Sequence, residues 1–356
     1  MERTNSQLSC FQYLIAGPCA VESEEQVVET ARRLWVQQTH FPIPLSFFRA
    51  GVWKPRSEAD AFCGVGEKAF PWLQHISHDF GFQVCIEVAN ARHIELCAKY
   101  GIKAIWIGAR TSVNPFIVQE IADAIHHSDF TVLVKNPIIP DVRLWLGNLE
   151  RIEKAGIKKL LAVHRGFSDT TENIFRNAPM WDIPIALHLM RPDIPIICDP
   201  SHISGQRQYV KQLAQIAIDY GAMGLMIETH CNPCAALCDA AQQFTPEELS
   251  ELLRSLTFKH SVSNTDDLLR QQRTLIHNID HQLSQLLAKR FSIVKEIAHI
   301  KQEHDIPLLQ PNQWNSVVQN YHQHTLQDDC YAKFLENFLD LLHHFSLEMQ
   351  QNKKEL

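Results

Sequence analysis

The chain has 356 residues, 45% of them hydrophobic, ten cysteines and a formal net charge of −7. That length and apolar content can bury a large core in one domain or two, the acidic balance argues against bulk nucleic-acid binding, and no apolar run nears the roughly 20 residues that span a bilayer. Met1–Gln7 lacks the charged-then-apolar order of a signal peptide, so a cytoplasmic protein is expected, with its cysteines as buried thiols, metal ligands or incidental residues rather than disulfides.

From Phe11 the chain repeats one theme: an apolar run, then polar or glycine-containing residues, then an amphipathic stretch. The runs are Tyr13–Ala16, Leu45–Phe48, Phe82–Ile86, Ala104–Ile107, Thr131–Val134, Leu160–Val163, Ile194–Cys198 and Gly224–Ile227. Helical segments such as Glu24–Trp35, Asn90–Tyr100, Pro115–His126, Leu144–Ala155 and Gln208–Tyr220 separate them. Strand and helix alternating over about 250 residues predict an α/β fold, a (β/α)8 TIM barrel. A doubly wound open sheet is the alternative, but no glycine-rich dinucleotide loop follows the first run.

In such a barrel the residues just past each strand converge on one mouth. Here they are Cys19, Arg49 with Lys54 and Arg56, Glu87, Arg110, Lys135, Arg165, Asp199 with His202, and Glu228. One exposed cation means little, yet six at the same register in an acidic chain imply a ligand with several negative charges, and two phosphates would account for them. Cys19, His202, Glu228 and Asp239 form a candidate metal site, a thiolate, an imidazole and two carboxylates that suit manganese, iron, cobalt or zinc better than magnesium or calcium. Taken singly, each has a plainer reading as a buried thiol, a helix-start residue or a surface acid. Asp199 and His230 are expected to support these ligands from behind. The CNPC of Cys231–Cys234 is a single CxxC, read as incidental thiols rather than a second metal site.

GPCAVES (17–23), FRAGVWKPRS (48–57), IGAR (107–110), VKNP (134–137), HRG (164–166), DPSH (199–202) and IETH with CD (227–239) together resemble 3-deoxy-D-arabino-heptulosonate 7-phosphate (DAHP) synthase. The resemblance runs from about Phe11 to Leu256, in a compact form without an N-terminal regulatory extension. It implies a metal-dependent (β/α)8 barrel that condenses phosphoenolpyruvate with erythrose 4-phosphate, the first step of the shikimate pathway. By motif, Cys19, His202, Glu228 and Asp239 would hold a divalent ion. Arg49, Arg110, Lys135 and Arg165 would take the phosphoenolpyruvate phosphate, Lys54 would be the catalytic cation beside its carboxylate, and Arg56 with Ser57 would take the tetrose phosphate. Glu87 is a weaker assignment for handling a water proton. Related octulosonate phosphate synthases carry a KANR-like stretch where this chain has KPRS at Lys54–Ser57, which favours the four-carbon aldehyde. Asn90-Ala91 stands where an Asp-Pro pair is frequent and His164 where an acid is frequent, so neither inherits a role.

After Leu256 the composition changes. Residues 1–257 are expected to form the barrel, 258–266 a linker and 267–356 an all-α domain. Leu268, Leu275, Ile276, Ile279, Leu283, Leu286, Leu287, Phe291, Val294 and Ile297 recur at helical spacing and predict one helix from about Asp266 to Glu303. It would be about 55 Å long, too long for a 90-residue monomer to bury. Pro307 and Pro311 break the pattern, and shorter helices follow near Gln313–His324 and Asp329–Asn352. This tail resembles the all-helical class of chorismate mutase, whose substrate cations Arg273, Arg290 and Lys301 match, as do Ser346 and Gln350 of the last helix. Arg290 and Lys301 are close to three turns apart, roughly 16 Å, on one face, whereas Arg273 lies about 25 Å from Arg290 on another face. Arg273 is therefore expected from a second subunit of a homodimer. The resemblance implies chorismate to prephenate rearrangement, with Lys301 and Gln350 as donors near the ether oxygen, and feedback on the barrel by chorismate or prephenate. Gln310, Gln313 and Trp314 replace the family's frequent acids and arginine, so a weak mutase is expected. Two readings stay open beside it: a tail that only senses ligand, and a tail that only dimerises.

Overall fold

A computed structural model describes residues 11–54, 60–169, 174–258, 266–322 and 329–351. The chain divides into two compact units, Met1–Ser261 and Val262–Leu356. In the first, eight parallel strands close a barrel in chain order: β1 (Tyr13–Gly17), β2 (Phe47–Ala50), β3 (Val84–Val88), β4 (Ala104–Ile107), β5 (Thr131–Lys135), β6 (Lys159–His164), β7 (Ile196–Cys198) and β8 (Gly224–Glu228). Ring closure sets Gly17 opposite Glu228, so the first and last strands end side by side.

The helices α1 (Glu24–Gln37), α2 (Ala69–Phe80), α3 (Ala91–Lys99), α4 (Pro115–Ala124), α5 (Val142–Lys154), α6 (Asp182–Met190), α7 (Pro200–Ser204), α8 (Arg207–Asp219) and α9 (Pro246–Arg254) follow the strands. Local chemistry starts several of them. Ser23, Asn90, Asn114 and Asp141 each accept a backbone N–H as a cap, worth about 1 kcal/mol apiece. Asn90, out of pattern in the sequence, thus has a structural task at the start of α3.

Strand alternation produces two apolar layers. Leu14, Ala16, Phe48, Ile86, Ile105, Val132 and Ala162 face the helices, while Ile15, Phe47, Cys85, Trp106, Leu133, Val163, Ile197 and Met226 fill the barrel. The second and third strands lie two residues later than their apolar runs because the ladder carries on through charged Arg49, paired with Cys85, and through Glu87, paired with Trp106. The seventh begins only after Pro195, which has no N–H to donate.

Among the described residues the second unit holds three helices: α10 (Asp266–Glu303), α11 (Pro311–His322) and α12 (Asp329–Gln351). Pro311 occupies the first position of α11, where its missing N–H costs nothing. Val294 and Ala298 of α10 are buried, as are Leu335, Leu339 and Leu342 of α12. Leu275, Ile276, Ile279, Leu283 and Leu286 of α10 stay about half exposed or more. No helix among the described residues is long and apolar enough to cross a membrane.

Candidate functional site

The period of two that fills the barrel also builds its mouth. Two residues beyond inward-facing Phe47, Cys85, Leu133, Val163, Ile197 and Met226 come Arg49, Glu87, Lys135, Arg165, Asp199 and Glu228. Each is the next inward position on its strand line, at the C-terminal end where barrel sites form. On β4 that position is Gly108, where a Cβ would lie 2.1 Å from Glu87 Oε1. Glycine there leaves room for the carboxylate.

Cys19, Glu228 and Asp239 bring a sulfur and two carboxylate oxygens within 4.8 Å of one another. Cys19 Sγ donates to Asp239 Oδ2 at 3.2 Å, and Cys19 N–H to Gln243 Oε1 at 3.0 Å. His202 stands beside this set rather than in it, with Nε2 3.5 Å from Glu228 Oε1 and Nδ1 2.8 Å from Asp199 Oδ2. Glu228 is fully buried and accepts from Arg49 Nη2 at 2.9 Å and Gln242 Nε2 at 2.7 Å. A thiol, two carboxylates and an adjacent imidazole form a donor set that fits a divalent transition ion. Asp239 holds a left-handed backbone, φ 48°, uncommon outside glycine though tolerated by Asp.

Above these groups lies a cavity of about 330 Å³, walled by Lys54, Arg110, Lys135, Arg165 and Arg176, with Glu87, His202 and Asp239 among its other lining residues. Four of the expected six cations therefore share one space. Arg49 does not join that wall. Its fully buried guanidinium lies by Glu228, 4.0 Å from Asp199 and 5.2 Å from the Trp106 ring. Arg56 and Ser57 lie outside the described residues. A larger cavity, about 680 Å³, opens at the opposite ends of β3 to β6. Lys103 there is already paired with Asp129, and the cavity lies far from the converging strand ends.

Mutual charge sets the protonation states. Burial opposes the Lys54 ammonium, but Cys19, Glu228 and Glu87 outweigh it and raise its pKa. Burial likewise opposes the Glu228 and Asp239 carboxylates, and His202 with Arg49 and Lys54 for the first, His202 with Arg176 and Lys54 for the second, hold both below the usual range. Burial lowers Arg165 to about 10, with Asp199 offsetting it in part. It also lowers Lys135 against the pull of Asp199, whose Oδ2 lies 2.7 Å from Nζ. Burial, the Cys238 thiol and Glu228 push Cys19 well up.

The sequence reading missed several groups. Arg176 reaches Asp239 Oδ1 at 3.0 Å and Gln242 Oε1 at 3.3 Å. Asn177 accepts from Arg165 Nη1 at 2.7 Å, and Asn136 Oδ1 accepts the Arg165 N–H at 2.7 Å. Asn136, inside the VKNP stretch, was within reach of the motif argument. Arg176 and Asn177 lie in a loop without periodicity, held by backbone N–H bonds to Ser204 O and Ile203 O and by the Asn177 Nδ2 bond to His202 O at 2.7 Å. Asp199 lies between Lys135 Nζ, 2.7 Å away, and His202 Nδ1, 2.8 Å away. His230 turns away to Glu22, 3.6 Å distant.

In the second unit, Arg290 Nη1 donates to Ser346 Oγ at 2.8 Å and Gln350 Nε2 to Ser346 O at 3.0 Å. Lys301 Nζ is held by Leu308 O at 2.6 Å. Trp314 stacks on His343 with ring centres 4.1 Å apart, while Gln310, Gln313 and Arg273 are exposed. Arg273 lies 17 residues before Arg290 on the same helix, about 25 Å away.

Residues 11–278 match the family model described as the DAHP synthetase I family, and residues 272–351 match chorismate mutase type II. A phospho-2-dehydro-3-deoxyheptonate aldolase of Thermotoga maritima is 32% identical over 247 residues, 68% of each chain. A 2-dehydro-3-deoxyphosphooctonate aldolase of Acidithiobacillus ferrooxidans is 24% identical over 71% of this chain and 92% of its own length. A crystal structure of the Thermotoga maritima DAHP synthase superposes with a TM-score of 0.60 at 28% identity, covering 71% of both chains. A truncated form of it gives 0.57 at 27% identity, covering 71% of this chain and 88% of that one. With a parallel barrel whose mouth gathers five cations over a thiol and two carboxylates, and with these matches, the chain belongs to the DAHP synthetase I family and carries a C-terminal chorismate mutase type II domain.

Proposed function

We propose that the barrel condenses phosphoenolpyruvate with erythrose 4-phosphate, with Cys19, His202, Glu228 and Asp239 holding a divalent ion. The observation that carries this is the cavity of about 330 Å³ with four of the expected cations on its wall and Asp239 and His202 at its edge. The bound ion would supply Lewis acidity toward the aldehyde oxygen. The Cys19 thiol, kept protonated by burial, would lose its proton on ligating such an ion. Arg110, Lys135 and Arg165 would bind the phosphoenolpyruvate phosphate, and His202, with Arg49 from below and Lys54, keeps Glu228 ionised. C3 of phosphoenolpyruvate adds to the aldehyde carbon, water adds at C2, and phosphate leaves from that carbon. Lys54 remains an ammonium by virtue of its anionic neighbours and serves as proton donor to the aldehyde oxygen. Glu87 takes the water proton. Arg56 and Ser57 are assigned the tetrose phosphate. The decisive assay is phosphate release from phosphoenolpyruvate with erythrose 4-phosphate by metal-replete protein, and its absence would reject the reading.

For the tail, chorismate to prephenate rearrangement is supported by the convergence of Arg290, Ser346 and Gln350. Lys301 completes the cationic face, with Arg273 coming from a second subunit across the exposed apolar side of α10. Such a reaction needs only that the substrate be held in its compact conformer and met by donors. Chorismate or prephenate bound there would inhibit the barrel by favouring one of two states. A cytoplasmic homodimer accommodates both activities. The second reading, a ligand-sensing or dimerising tail with little catalysis, draws on Trp314, which stands where the family often has a charged residue and stacks on His343. Arg290→Ala separates a chorismate-binding tail from one that only dimerises: mutase activity and ligand inhibition are lost in the first case, and neither changes in the second.

A further inference from the structure

Outside the barrel, between α6, α8 and the ends of β6 and β7, lies an apolar cavity of about 80 Å³. Trp181, Ile185, Leu189, Ala217 and Tyr220 wall it, with His164 buried at its barrel side. The alternation that turns Val163 and Arg165 inward turns His164 outward. Its ring packs edge-on against Trp181, centres 5.1 Å apart, and Trp181 meets Tyr220 at 5.7 Å.

His164 is 1% exposed, and neither ring nitrogen has a hydrogen-bond partner among the described residues. The Pro179 backbone comes near without reaching normal geometry. Burial, reinforced by Arg165, lowers the ring to about 3, so the imidazole is neutral and presents one donor and one acceptor. An orphaned buried polar group costs about 1–3 kcal/mol, and a native orphan calls for a physical reason. Water is a poor occupant, since it needs two to four polar partners and these walls are largely apolar. Among the described residues no Asp, Glu, Lys or Arg lines the cavity, and His188 is the other imidazole on its wall, so an amino acid or phosphate would leave its charges uncompensated. The volume is below the roughly 150 Å³ of a sealed benzene cavity, but Leu189 and Ile185 at the rim are exposed, which lets one ring enter edge-first.

The geometry points to a binding site for a small uncharged aromatic molecule with one hydrogen-bonding group, a phenol in type, its ring against Trp181 and Tyr220 and its polar group on His164. The carbonyl of His164 accepts the Asp199 N–H at 2.7 Å, and Arg165 is the next residue. The pocket and the barrel mouth therefore share one backbone segment.

The test uses the full chain and two fluorine probes of similar shape, 4-fluorophenol and fluorobenzene, followed by 19F NMR. The expected result is saturable binding of 4-fluorophenol about tenfold tighter than fluorobenzene, equivalent to one hydrogen bond. In His164→Phe the two probes should bind alike, and retained fluorobenzene binding reports that the pocket is intact. Leu189→Glu, at an exposed rim position that tolerates change, should weaken both probes. No saturable binding in the native chain, equal affinities there, a preference that survives in His164→Phe, or indifference to Leu189→Glu would each overturn the site. Displacement of 4-fluorophenol by self-association at rising protein concentration would also overturn it, by seating a side chain of a second copy in the pocket.

Discussion

Cys19 and Asp239, 220 residues apart in sequence, meet with Sγ 3.2 Å from Oδ2. The contact exists because β1 and β8 pair and end together, and it places a soft and a hard donor side by side. Cys19→Ala should lower affinity for a divalent ion by more than about 100-fold, beyond what loss of a supporting group costs. Chelation of the native chain should abolish condensation, and added metal restore it. Full activity after exhaustive chelation, with metal content verified, would contradict the ligand set.

Arg176 holds the other oxygen of Asp239 at 3.0 Å while its own side chain is 43% exposed. Arg176→Ala should therefore spare the fold and weaken metal binding by about 10- to 100-fold, as for groups that orient a ligand. Metal titration by calorimetry beside a thermal melt separates the two effects. An unchanged metal affinity would reduce the contact to a surface ion pair of little consequence.

Arg165 is braced by Asn136 on its backbone and Asn177 on its guanidinium. This advance fixing reduces the ordering needed to grip an anion. With charge-assisted hydrogen bonds contributing about 1.5–3 kcal/mol, Arg165→Ala should raise KM for phosphoenolpyruvate by roughly 10- to 150-fold. Asn177→Ala should raise it less. If KM stays fixed while stability falls, Arg165 is a structural cation.

His164 gives the barrel a distinct acid response. Burial, first, and the charge of Arg165 depress its folded pKa to about 3, against roughly 6.5 when unfolded. Below 6.5 the unfolded chain binds the proton and the folded chain does not, so stability contributed above that pH is lost as pH falls toward 3. The slope is at most about 1.4 kcal/mol per pH unit. Urea unfolding at pH 7 and pH 5 should show this loss in the native chain and a smaller one in His164→Phe. Identical pH dependence of the two would mean that the ring is solvated.

The exposed apolar residues of α10, among them Ile279 at 56% and Leu283 at 49%, form more surface than a monomeric helix ordinarily leaves in water. Leu283→Lys should convert a dimer to monomers in sedimentation velocity and, if Arg273 works across the interface, reduce mutase activity with it. A native chain already monomeric at micromolar concentration would remove the basis for this expectation.

The sequence by itself determined the barrel, since eight apolar runs at strand length separated by helical stretches leave few other ways to bury them. It also determined the long helix of the tail, whose apolar period is uninterrupted. The inward positions of Lys135, Arg165 and Glu228 were readable because side chains alternate along strands whatever the rest of the chain does. What only the tertiary structure decided depends on closure and on loops. Arg49 looked equivalent to the other mouth cations, yet lies beneath the cavity because Glu228 and Asp199 converge on it. Arg176 and Asn177 have no periodic pattern and gain their positions from bonds to α7. His164 is turned away from the mouth by the same alternation, but only packing decides that an apolar pocket with Trp181 and Tyr220 meets its ring there. Local pattern fixes which way a strand residue points, whereas partners distant in sequence fix what it meets there.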